Sequence, residues 1–224
     1  MNTYAFSIKE ALNFGFKKFK QNTGVLVAIL VVLFLVSAVL NGLQKLTDDY
    51  ASVASTLFKI VALVVQLVSA MGIIRISLSI YKDSRIKFMD ILSETHRFLD
   101  YMVAYFLFFF MTFLGLILLI FPGIIWASTY LFYGYILIDE KEKPIASLKK
   151  SKELTKNNRL QIFYFLLVLL GINLLGALLL GVGLLVTIPI SFISMGYVYN
   201  KLKEKNNSKV ILETVKVIET EIVK

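Results

Sequence analysis

Ser147, Ser151 and Thr155 stand four residues apart in the stretch "PIASLKKSKELT". On a helix that starts at Pro144, a residue suited to the first helical position, they share one face with Leu148 and Leu154. Lys149, Lys150, Lys152, Glu153 and Lys156 take the rest of the circumference. The chemistry this pattern offers is a Ser–Lys nucleophile. Such a serine needs a base, and the base needs an orienting partner. A solvated lysine keeps its proton and is a poor base, so no catalytic residue is assigned and no enzyme is expected. The mechanical reading is simpler. Small residues at every fourth position let one helix lie close against others. Ser147, Ser151 and Thr155 are therefore expected to pack an interfacial helix, which Asn157 and Asn158 can end with a left-handed turn.

Other polar side chains interrupt apolar runs. Gln66, Arg75 and Asn173 either meet a ligand or bond to a neighbouring helix. Arg75 is close enough to Tyr81 to reach a headgroup layer by snorkelling. The chain has no cysteine and a single histidine, which excludes disulfides and thiolate or His-rich metal sites. No metal or cofactor is expected. Lys17, Lys18, Lys149, Lys150 and Lys156 suit anionic lipid headgroups. The basic segments carry no interleaved aromatics and no known module, so nucleic acid is not an expected partner.

What positions these residues is a mostly apolar chain. Of 224 residues, 58% are hydrophobic and 17% charged, and the mean hydropathy is +0.76. Soluble domains carry about 45–50% apolar and about 25% charged residues. The excess lies in long charge-free runs of the length that crosses a bilayer. The expected fold is all-α: one domain over 1–200 with spans at about 24–43, 56–80, 101–121, 124–138, 160–180 and 184–199. Residues 201–224 form a tail, read first as helix and second as strand, because its apolar residues keep helical spacing but are largely β-branched. The N-terminal stretch lacks a cleavage site, so the first span is expected to be retained.

Turn grammar divides the spans into three hairpins. Pro122 and Gly123 in "FPG" read as a tight turn, and Gly181 and Gly183 in "GVG" as another. Pro189 either kinks the sixth span or marks its start. Each hairpin follows an amphipathic segment, at about 7–21, 84–99 and 144–157. In the second segment Phe88, Met89, Leu92, Thr95 and Leu99 form the expected apolar face. All Lys and Arg except Lys45, Lys59 and Arg75 fall in the N-terminal segment, the second loop, the fourth loop or the tail. The positive-inside rule then places both termini in the cytoplasm of a multi-pass cell-membrane protein.

The order "FPGII", "ILIDE", "SLKKSKELTKNN", "GINLLG" and "GVGLLVTIPI" resembles a prokaryotic group of six-span, DUF975-like membrane proteins. These are similar in description to the membrane domain attached to glycerophosphoryl diester phosphodiesterases. The resemblance runs to about Lys201 and is most specific from Gly115 to Tyr199. The group's pattern Ala-Leu-Lys-x-Ser-x-x-x-Thr-x-Gly-Asn is met at Leu148, Lys149, Ser151, Thr155 and Asn158. Ser147 replaces the alanine and Asn157 the glycine. The resemblance implies six spans and no agreed activity. The phosphodiesterase chemistry belongs to a separate domain whose metal ligands are not present here. The expected role is a non-enzymatic scaffold, assembly or membrane-organising factor with a protein partner or a homo-oligomeric state. The alternative is a transporter or channel component for a small neutral or apolar solute.

Overall fold

The computed structural model describes residues 5–48, 52–118, 120–179 and 181–222, and no strand occurs among them. The helices are α1 (Ile8–Asp48), α2 (Ser52–Tyr81), α3 (Phe98–Leu118), α4 (Ile120–Tyr130), α5 (Tyr133–Asp139), α6 (Pro144–Thr155), α7 (Arg159–Leu178) and α8 (Leu184–Ile222). Among the described residues, four helical stretches are long and apolar enough to cross a membrane: Ile8–Leu46, Val53–Tyr81, Phe88–Ile117 and Arg159–Leu178. The expected fourth span is divided between α4 and α5, and the sixth is the first part of α8.

The expected first interfacial helix and first span form one long element with a break at Asn22, whose φ of −126° and ψ of 19° are not helical. The sequence supplies the means to break there. Asn22 Nδ2 donates to the Lys18 carbonyl at 3.0 Å, and Thr23 Oγ1 donates to the Phe19 carbonyl at 2.8 Å. Side-chain bonds of this kind compete with the helix ladder and satisfy carbonyls it leaves free. The helix then runs on through Gln44–Asp48, past the expected end of the first span at about residue 43.

The second amphipathic segment departs from expectation. Instead of a helix over 84–99, the chain is extended after Asp83, which has a φ of 54°, and then makes two 3₁₀ turns at Phe88–Leu92 and Thr95–Arg97. Phe88, Met89, Leu92 and Leu99 are exposed, whereas Ile86 and Ile91 are buried. The reason is a close approach to α2. A Cβ on Gly72 would stand 2.2 Å from the Ile91 carbonyl oxygen, so only glycine admits the connector there. Ile91 therefore faces the core, which turns the expected face outward.

Pro122 and Gly123 also move. They lie inside α4, while Leu119, between α3 and α4, is outside the described residues. Pro122 is in the first turn of α4, where a missing N–H breaks no helical bond. Gly123 serves packing: a Cβ on it would stand 2.8 Å from the Leu116 backbone nitrogen, and one on Gly115 would stand 3.0 Å from the Gly123 Cα. Gly181 does occupy a turn, with a φ of +76° that side chains resist. Gly183 instead lies against Gly176, where a Cβ would come 2.5 Å from the Gly176 carbonyl oxygen. Pro189 lies inside α8, which begins at Leu184, so it does not start the helix. The tail is helical through Ile222.

Burial is concentrated at one end of the bundle. Ala11, Met71, Leu78, Ala104, Phe132, Ile136, Leu137, Ile162, Phe165, Val198 and Tyr199 form its core. The N-terminal part of α1 packs on α8, where Ser194 Oγ donates to the Ala11 carbonyl at 2.9 Å. At the other end, Phe34, Leu46, Val53, Leu57, Phe110, Phe113, Ile117, Leu175 and Leu178 are exposed. The interior is filled where the charged segments gather, and the far ends of the long helices present an apolar surface.

Candidate functional site

The packed end is built around the break between α4 and α5. A broken helix frees carbonyls in its last turn and N–H groups in the next. Here α6 supplies the partners. Its Ser147, Leu148, Ser151 and Thr155 are buried, the face expected from their four-residue spacing. Ser151 Oγ donates to the Thr129 carbonyl at 3.0 Å and accepts the Phe132 N–H at 3.2 Å. Thr155 Oγ1 reaches the same Thr129 carbonyl at 2.9 Å, and also its own helix at the Ser151 carbonyl at 2.9 Å. Ser147 Oγ donates within its own turn, to Pro144 at 2.7 Å. These hydroxyls therefore close the ends of a divided helix. Their partners are backbone groups, and among the described residues no base is hydrogen-bonded to the Ser151 hydroxyl.

Beside this seam lies a charge network that the sequence reading did not single out. Asp139 and Glu140 end α5. Asp139 pairs with Lys82 at 2.9 Å and Lys203 at 2.6 Å, and accepts the Tyr199 hydroxyl at 3.2 Å. Glu140 pairs with Lys150 at 2.9 Å and Lys203 at 3.0 Å, and Lys150 also holds Glu142 at 2.6 Å. Arg97 completes the end of α5. It donates to the Leu137 carbonyl at 2.5 Å and the Glu142 carbonyl at 2.7 Å, and pairs with Asp100 at 3.1 Å. The network ties the connector after α2, the end of α5, α6 and α8 together. A cavity of about 160 Å³ opens beside it, lined by Ile136, Glu140, Lys150, Glu153, Leu154 and Lys203.

Its electrostatics oppose proton transfer. Burial pushes the Asp139 carboxyl up, but Lys203 and Lys82 outweigh it and hold the group below the usual range. Burial likewise opposes the Glu140 charge, and Lys150 and Lys203 again lower its pKa. Lys150 is pushed up to about 12 by its bonds to Glu142 and Glu140. Each group is locked in its charged form by its partners. A general acid or base instead needs a pKa near the working pH.

Other expected residues are scattered. Arg75 is exposed on α2 and pairs with the buried Glu94 at 3.6 Å. Gln66 lines a groove of about 500 Å³ between α1 and α2, with Ser37, Asn41 and Ser69. Asn173 lines a different groove of about 340 Å³ with Tyr135 and Ser191, and its Nδ2 donates to Ser191 Oγ at 2.8 Å. The Asn173 Oδ1 is buried with no hydrogen-bond partner among the described residues. The two amides are not brought into one cavity.

Of the expected lipid-facing lysines, Lys18 is drawn into a pair with Asp83 and Lys150 into the network above. Lys17, Lys149 and Lys156 are exposed and make no ion pair among the described residues. Among those residues no cluster of three or more His, Asp or Glu side chains forms a metal site. A partial signal for the network was present in the sequence: Lys82, Asp139 and Lys203 each stand within a few residues of the end of an apolar run. Compared with known proteins, the chain matches no family model, no curated protein and no solved structure.

Proposed function

We propose that this chain is an integral membrane protein of six crossings, with both termini in the cytoplasm, that acts as a non-enzymatic scaffold, assembly or membrane-organising factor. The observation that carries this reading is the division of the molecule into a packed, charge-locked end and an exposed apolar remainder with laterally open grooves. The α3–α4 and α7–α8 hairpins support two crossings each, and α1 with α2 supplies the first pair. The locked ion pairs and the backbone-bound Ser151 favour a holding role over a reaction. The transport alternative needs polar groups converging on one path, and Gln66 and Asn173 lie in separate grooves. The DUF975-like resemblance agrees with six crossings and rests on the residues that carry it.

Exposed Lys17, Lys149 and Lys156 meet anionic headgroups at the cytoplasmic surface in this reading. The chain has no cysteine, which makes its topology direct to test. Single cysteines replace the exposed Lys149 and Lys45, and intact cells are treated with a membrane-impermeant thiol reagent. Labelling of Lys45→Cys with protection of Lys149→Cys is expected, and the reverse pattern overturns the orientation. Reconstituted vesicles separate scaffold from transporter: glycerol influx above that of protein-free vesicles would favour transport.

A further inference from the structure

We propose that the groove around Gln66 is the surface through which two copies of this chain associate in the plane of the membrane, an inference that rests on α2 being a membrane span. Gln66 sits near the middle of α2, about 21 Å from one end and about 22 Å from the other at 1.5 Å per residue. It is exposed and makes no hydrogen bond to any described residue. Its polar neighbours are already engaged. Asn41 Nδ2 donates to the Ser37 carbonyl at 2.8 Å, and Ser69 Oγ donates to the Val65 carbonyl at 2.7 Å. Gln66 alone in this groove carries an amide with both donors and its acceptor unused.

Hydrocarbon offers such a group nothing, and unsatisfied polar groups there are strongly disfavoured. Headgroups lie too far away to reach mid-depth. A second copy inserted in the same orientation is related by an axis along the membrane normal, and rotation about that axis keeps every residue at its own depth. Gln66 then meets Gln66, and two primary amides are self-complementary as donor and acceptor. Ala62 and Ser69 flank it on the same face of α2 and line the same groove, and small residues there let two helices approach closely.

The test places single cysteines at Ala62, at Ser69 and, on the opposite face of α2, at the exposed Val64, and cross-links them with a short bis-maleimide in native membranes. Cross-linked dimer is expected from Ala62→Cys and Ser69→Cys and not from Val64→Cys. Adding Gln66→Leu should lower the Ala62→Cys yield about threefold to tenfold, the size of one interhelical hydrogen bond. Equal yields on both faces, no dimer at all, or no response to Gln66→Leu would each overturn the proposal, with a lipid as the occupant in the second case. An impermeant thiol reagent applied to opened membranes distinguishes failure of the underlying reading: labelling of Ala62→Cys from water would place α2 outside the bilayer.

Discussion

Ser151→Ala tests whether hydroxyls on α6 hold the divided α4–α5 element together. The substitution removes the acceptor for the Phe132 N–H and one of two donors to the Thr129 carbonyl. Thr155 still serves that carbonyl, so the new defect is one buried, unsatisfied N–H. An orphaned buried donor costs about 1–3 kcal/mol. Thr155→Val alone leaves Ser151 on the carbonyl and should cost about 1 kcal/mol. The double substitution orphans the carbonyl as well, so its cost should exceed the sum of the singles by about 1 kcal/mol or more. Ser147→Ala is the contrast: its hydroxyl bonds only within its own turn, and the loss should be the smallest of the series. The single tryptophan, Trp126, lies on α4 and reports unfolding directly. Denaturation by sodium dodecyl sulfate in mixed micelles, followed by Trp126 fluorescence, gives the free energies. A Ser151→Ala protein within about 0.5 kcal/mol of the parent, the range of ordinary surface substitutions, or strictly additive singles, would refute the reasoning.

Acid should loosen the packed end. The folded Asp139 and Glu140 carboxyls lie below their ordinary values of 3.8 and 4.5. Their stabilisation is therefore present above those values and lost as pH falls through the folded ones. Melting temperature should drop below about pH 4.5, and Asp139→Asn should flatten that drop. Gly72→Val places carbon atoms where the Ile91 backbone lies. It should cost about 1–3 kcal/mol as an overpacked site and expose the 82–97 connector to limited proteolysis. Gly181→Ala forces a left-handed φ on a residue with a side chain. It should destabilise by about 1–2 kcal/mol, read from the same micelle titration, whereas Gly42→Ala, with open space around its Cβ position, should not destabilise.

The elements that were legible are those whose cause is local. Pro144 at a helix start and hydroxyls at 147, 151 and 155 identify α6 and its buried face from spacing alone. The break at Leu131–Phe132 was not legible, because the run "IIWASTYLFYGYILI" contains no residue that compels it. It is specified by Ser151 and Thr155, some 20 residues downstream. The second amphipathic segment failed for a similar reason. Its helical periodicity is real, but Ile91 finds its place against Gly72, and nothing within 84–99 records that. The "FPG" reading shows an ambiguity of local grammar. A proline with a following glycine suits both a turn and the first turn of a helix, and the approach of Gly115 to Gly123 decides between them. The charge network was missed because its members are dispersed over the chain, and only the fold brings them to one level.

The continuity of α8 has a mechanical consequence. Its 39 residues make a rod about 58 Å long at 1.5 Å per residue, nearly twice the thickness of a bilayer core. Lys203 and Tyr199 fasten it near the middle to Asp139 and Glu140. From that fulcrum the arm to Ile222 is about 28 Å long. A tilt of about ten degrees would swing its tip by about 5 Å with no change in the hydrogen-bonded helix itself. The same rotation would press on the Gly181 turn at the opposite end, so α8 is a lever with one arm among the apolar helices and the other beyond the charged end.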